Sequence, residues 1–254
     1  MDNNDFYAPS RYGYYTTPKN VRQNPEFLAS YLGYGEGATK DDIMKRGGVV
    51  WGCPSWNPQP KSPTYTGYGQ NMLGWDVTDF GSGDFSRIGR TLFTLRNGRH
   101  SDPRYPKTYA EKFILDPEGQ RAPAHYHRSK REDIINRGSG FIVLELTSSD
   151  AEGNPSAAPL TLAVDGIART IESGSRVKLK PGESICLPPG TIHQFWGESG
   201  DVVIDGVRYC VSGEVSSVCD DRSDNAFLQP ASRFPGIDED EPPRHLLCSE
   251  YPGK

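Results

Sequence analysis

The chain has 254 residues, a net charge of −5 and an apolar fraction of 35%. Its 28 Gly and 21 Pro make about 19% of the chain, against a usual sum near 12%. Such a chain turns often, which argues against a helical bundle, a coiled coil or a doubly wound α/β fold, and the acidic balance offers no basic footprint for nucleic acid.

The start, MDNNDFYAPS, has neither a basic region nor an apolar run, so it does not read as a secretory signal. Residues 1–23 are Tyr-rich and aperiodic and read as an arm. Asn24-Pro25-Glu26-Phe27-Leu28 predicts a short helix with Asn24 as cap and Pro25 at its first position. Thr39-Lys40-Asp41-Asp42 resembles a capping box before Ile43 and Met44. From Pro54 to Tyr68 the chain reads as a long loop. Gly74–Gly81 is dense in aromatics and carboxylates, and Thr91–Arg96 is strand-like.

The section from about Tyr109 to Val211 differs. Short Ile/Val/Leu-rich runs recur every 10–20 residues between turn signals. They are Lys112–Leu115, Gly140–Leu146, Leu160–Val164, Arg176–Lys180, Ile185–Leu187 and Val202–Val211. Asp165-Gly166 is a strong two-residue turn, and Pro181-Gly182 also punctuates. This pattern predicts an all-β antiparallel barrel or jelly roll. The C-terminal Asp238–Pro243 stretch reads as a solvated loop. Five separated cysteines with no CxxC read as reduced thiols of a cytoplasmic protein. No apolar run approaches the roughly 20 residues that span a bilayer.

Two segments of this section carry chemistry. In Ala124-His125-Tyr126-His127-Arg128-Ser129-Lys130-Arg131-Glu132, the two histidines share one face of a strand and can offer imidazoles to one ion. Glu132 lies five residues on, so a turn around Arg128–Arg131 must bring it back to them. In Gly182–His193 a strand ends in Pro188-Pro189-Gly190, which aims His193. Three imidazoles and a carboxylate suit a divalent first-row metal. His100 and His245 have no such context.

The spacings match the paired motifs of the cupin superfamily, HxHx4E with Gly138 closing the first and Gx5PxGx2H intact at Gly182–His193. In cupins these ligands project into a small jelly roll. A finer resemblance follows. The run from His125 to Gly138, ending Glu132-Asp133-Ile134-Ile135-Asn136-Arg137-Gly138, resembles the D-lyxose isomerase family, as do Leu187–Glu198, Gly213–Val218, Asp238–Pro242 and Gly74–Gly81. Ser139 and Cys219 depart from that pattern, where Gly and Asn are expected; the departures bear on substrate preference.

The resemblance implies one cupin domain with its barrel at about 109–215, wrapped by extensions 1–108 and 216–254 that hold short helices and long loops. It implies interconversion of D-lyxose with D-xylulose, and of D-mannose with D-fructose, on Mn²⁺ held by His125, His127, Glu132 and His193. A metal chelating O1 and O2 stabilises the charge that develops when C2–H is removed, through a cis-enediol. The proton shuttle requires a carboxylate whose pKa is raised toward neutrality by burial. Glu214, an isolated acid after an apolar strand, is the first candidate for it; the alternative is a rim salt bridge. Lys130 is placed to protonate or polarise a sugar oxygen, or else lies on the surface, and Lys112 to contact substrate hydroxyls. Phe195 and Trp196 either stack on the sugar or fill the barrel mouth. A hydride shift is the competing route. Exposed edges and long arms predict a homodimer. The rival classes are an Fe(II) cupin dioxygenase and a non-catalytic sugar-binding cupin.

Overall fold

A computed structural model describes residues 66–100, 102–204, 206–236 and 246–251. The arm, the helices expected near Asn24 and Ile43, the acidic Asp238–Pro243 stretch, Cys53 and His245 lie outside the described residues. Strands then dominate. A short helix α1 (Thr66–Asn71) leads into β1 (Gly74–Thr78) and β2 (Arg90–Arg96). After β3 (Tyr109–Pro117) come β4 (His125–His127), β5 (Glu132–Gly138) and β6 (Phe141–Ser149). The series continues with β7 (Pro155–Ser156), β8 (Leu160–Val164), β9 (Ile167–Ile171), β10 (Ser175–Leu179) and β11 (Ser184–Leu187). It ends with β12 (Ile192–Glu198), β13 (Val202–Ile204), β14 (Val207–Ser217) and β15 (Asn225–Phe227).

These strands form two facing antiparallel sheets, the jelly-roll barrel expected from the turn spacing. The larger has the order β1-β2-β3-β14-β5-β11-β8-β9, with β13 on the flank of β14. The smaller has the order β10-β6-β12-β4-β15, with β7 against β6. Period-two alternation puts Ile134, Ile142, Leu144, Leu146, Leu179 and Ile185 between the sheets, fully buried. Each such side chain contributes about 1.5–3 kcal/mol over leaving it in water.

The expected turns explain the hairpins. Asp165 and Gly166 both have positive φ, 48° and 76°. This is the left-handed pair that a two-residue turn needs to match the strand twist, and it joins β8 to β9. Three details differ from the sequence reading. The run Val202–Val211 is broken at Gly206 (φ 80°) into β13 and β14, which fold back on each other. The loop expected to reach Tyr68 gives way to α1 at Thr66. Strand β9 escaped notice because most of its side chains are exposed, so no apolar alternation marks it. The sheets also draw strands from both flanking regions: β1 and β2 continue the large sheet beyond β3, and β15 pairs with β4. Among the described residues no helix is long and apolar enough to cross a membrane.

Candidate active site

The two motif histidines of β4 point to the barrel interior, and His193 of β12 pairs directly opposite His125. The Pro188-Pro189-Gly190 turn sets that register. Gly190 takes a positive φ of 78°, and its N–H donates to the carbonyl of His127 at 2.8 Å. One ligand nitrogen from each of the three imidazoles falls within 4.8 Å of the others.

Glu132 comes from the opposite sheet. The chain leaves β4 through Arg128–Arg131 and enters β5, and Asp224 grips that crossing. Its carboxylate accepts from the Ser129 N–H and hydroxyl at 2.8 and 2.6 Å and from the Lys130 N–H at 3.1 Å. Glu132 is thereby brought back, with Oε1 2.9 Å from His193 Nε2 and Oε2 3.4 Å from His127 Nε2.

The ring nitrogens themselves indicate what belongs among these groups. His125 Nδ1 is 2.9 Å from the Pro123 carbonyl and His193 Nδ1 is 2.9 Å from the Thr191 carbonyl. Carbonyls only accept, so each Nδ1 carries the proton and each Nε2 keeps its lone pair. His127 Nδ1 lies 3.5 Å from Asp224 Oδ2, longer than the hydrogen bonds that orient the other two rings. Burial, then the neighbouring His193 and His127, hold His125 well below the usual imidazole range, so it is neutral. Lone pairs therefore meet carboxylate oxygens across a buried gap, acceptor against acceptor. A cation resolves that arrangement, and imidazole with carboxylate suits a divalent first-row ion. The four residues fit such a metal.

Beyond Glu132 the charges alternate. Lys130 Nζ lies 2.7 Å from Glu132 Oε2 and 2.7 Å from Glu214 Oε1. Lys112, opposite Glu214 in the register of β3 and β14, approaches Glu214 Oε1 at 3.4 Å and Asp221 Oδ2 at 3.5 Å. Arg233 then bridges Asp221 and Asp76. Burial opposes ionisation of Glu214, yet Lys112 and Lys130 outweigh it and hold its carboxyl below the usual range. The expectation of a pKa raised toward neutrality is thus corrected, because two ammonium groups face this acid. Burial likewise opposes the charge on Lys130, but Glu132 and Glu214 raise its pKa above the ordinary value.

A cavity opens onto these groups and brings His125, His127, Glu132, His193, Lys130, Glu214, Lys112 and Phe195 together. Trp196 is not among the residues that line it. The two-residue period that turns His193 and Phe195 inward turns Trp196 to the outer face. There Arg121 lies 3.7 Å and Arg176 5.4 Å from its ring centroid, and Nε1–H donates to Glu198 at 2.9 Å. Sequence reasoning missed Asp224, Asp221, Arg233 and Arg90, since each is an ordinary charged residue outside the motifs. Cys219, a departure from the expected pattern, is buried with Sγ 3.0 Å from Lys112 Nζ and 2.8 Å from Asp221 Oδ1.

The family profile described as D-lyxose isomerase matches residues 49–251. Over 181 residues the chain is 52% identical to a D-lyxose/D-mannose isomerase of Serratia proteamaculans, covering 70% of this chain and 76% of that one. A D-lyxose/D-mannose isomerase of Escherichia coli O157:H7 is 49% identical over the same extent, again 70% and 76% of the two chains. Among solved structures, Acinetobacter sp. DL28 L-ribose isomerase in complex with L-ribose aligns with a TM-score of 0.44 and 15% identity, over 64% of this chain and 82% of that one. With the profile spanning most of the chain and relatives at half identity, this protein belongs to the D-lyxose isomerase family and is a sugar isomerase.

Proposed function

We propose that the protein interconverts D-lyxose with D-xylulose and D-mannose with D-fructose, using Mn²⁺ held by His125, His127, Glu132 and His193. The observation that carries this reading is the buried pairing of Glu214 with Lys130, one contact away from the ligand Glu132. The names of the half-identical relatives support the choice of sugars. A divalent ion held by these four residues would supply Lewis acidity that makes the sugar's C2–H more acidic.

The chain's own residues do the rest. Glu214, kept ionised by its two lysines, takes the C2 proton and delivers it to C1. A carboxylate with a low pKa is a weak base, and the greater acidity of C2–H beside a Lewis acid lowers the demand on it. Lys130, protonated between two carboxylates, donates a hydrogen bond to the sugar oxygen where charge develops. The O2 hydroxyl gives up its proton as O1 takes one, which completes the shift of the carbonyl from C1 to C2. Lys112 approaches the same oxygen of Glu214 as Lys130 does, Oε1 at 3.4 Å, and offers donors to the neighbouring hydroxyl. Phe195 supplies an apolar wall of the cavity.

The test is incubation of the Mn²⁺-loaded protein with D-lyxose or D-mannose in D₂O. Ketose should form, carrying deuterium from solvent exchange at the shuttle. No ketose above a metal-free control for either sugar would overturn the assignment, and deuterium at C1 of the ketose would favour proton transfer over hydride shift. Trp196→Phe provides a second check on the geometry. It keeps an aromatic ring but shortens a buried side chain and drops the hydrogen bond to Glu198, so urea melts should show a loss of about 1–3 kcal/mol, with kcat/KM at the wild-type value. A large loss of turnover would return Trp196 to the site.

A further inference from the structure

One buried cation bordering the cavity has no part in the chemistry above. Arg90, on β2, lies over the Phe195 ring with its guanidinium carbon 4.2 Å from the centroid. Nη1 pairs with Asp116, and Nη2 lies 3.4 Å from the Phe195 carbonyl. The second oxygen of Asp116 accepts from the Ser212 hydroxyl at 2.6 Å, so the carboxylate is fixed from behind. The ion pair uses one guanidinium nitrogen on one oxygen, not a two-bond fork. Of the five N–H donors of Arg90, these contacts occupy only part.

Stability is a weak reason for this pair. Both side chains are buried, 8% and 1% exposed, and Leu92, Ile114 and Ala122 line the cavity beside them. A buried ion pair is often matched or bettered in stability by apolar side chains of similar volume. What the pair provides is a guanidinium among these apolar side chains, apart from the lysines beside Glu214. A ligand that gains from it must carry acceptor oxygens at that point.

Position says which oxygens. Phe195 follows His193 by two residues on the inner face of β12, a step of about 7 Å along the strand. A sugar chain held by O1 and O2 at the imidazoles, running along β12, ends beside the Phe195 ring and the guanidinium above it. We propose that Arg90 is a specificity-determining residue that donates hydrogen bonds to the terminal hydroxyl of the substrate, the end opposite the reacting carbons. The assignment rests on the isomerase reading for the placement of O1 and O2.

The test is a comparison of D-mannose with 6-deoxy-D-mannose, which lacks only the terminal hydroxyl. Wild type should favour D-mannose by about tenfold in kcat/KM, the value of one hydrogen bond to a charged group. In Arg90→Met that preference should fall to about 1, because the group that senses the hydroxyl is gone. A merely structural role would slow both sugars alike and leave the preference intact, which would overturn the assignment, as would a wild type indifferent to the hydroxyl. If Arg90→Met does not fold because Asp116 is left unpaired, Arg90→Met/Asp116→Asn removes both charges and carries the same comparison. Calorimetric affinities of the two sugars for the Mn²⁺-loaded protein separate the two proposals. Wild type that binds both sugars without turnover, with the affinity preference still lost in the variant, sinks the isomerase reading alone. Turnover with an unchanged preference sinks only the role of Arg90.

Discussion

Glu214→Gln should lower kcat by about 10²- to 10⁴-fold, the usual contribution of a positioned general base, while Mn²⁺ content stays at the wild-type level. The amide is nearly the same size as the carboxylate and still accepts from Lys130, whose Nζ sits 2.7 Å from Oε1. What it cannot do is take a proton from carbon. Because Glu214 lies beyond Lys130 and makes no contact with the imidazoles, metal content by atomic emission should not change. Lost turnover with bound metal would assign the proton transfer to this side chain. Turnover within a few-fold of wild type would show that another group is the base.

His193→Ala should act on the other property. Outer-shell partners of a metal ligand typically cost 10- to 100-fold in affinity when removed, so loss of a direct ligand should lower Mn²⁺ affinity by at least about 100-fold. Activity should fall to background at ordinary metal concentrations and recover partly in excess Mn²⁺. His193 is fully buried, so the substitution also leaves a cavity, and a thermal melt of the metal-free protein reads that cost separately. Full retention of Mn²⁺ would contradict the proposed ligand set. Together the two variants part metal binding from proton transfer, which substitution at Glu132 could not do, since that residue touches both His193 and Lys130.

The metal-binding candidates were legible in the sequence for a physical reason. Two imidazoles on one strand face must be two residues apart, and a turn that aims a third needs Pro and Gly at fixed places. Those constraints are local and leave a pattern. Asp224 leaves none, because an acid that grips a turn 95 residues away has no neighbour in sequence to betray it. Arg90, Asp221 and Arg233 are hidden in the same way. Trp196 is legible by alternation: His193 and Phe195 share one face of β12, which turns Trp196 to the other. The low pKa of Glu214 was beyond reach, since burial alone predicts the opposite sign and only the fold brings Lys112 and Lys130 against it.

The grip of Asp224 on the Arg128–Arg131 crossing also shows how far the ligands depend on chain that lies beyond them. All four candidate ligands are present by residue 193, yet the loop that carries Glu132 to the imidazoles is backed mostly by later residues. Leu187 of β11 pairs with Glu132, Ser217 at the end of β14 exchanges hydrogen bonds with Arg131, and Asp224 with β15 holds the β4 end of the crossing. A change near Ser217 or Asp224 therefore reaches the ligand set without touching a ligand.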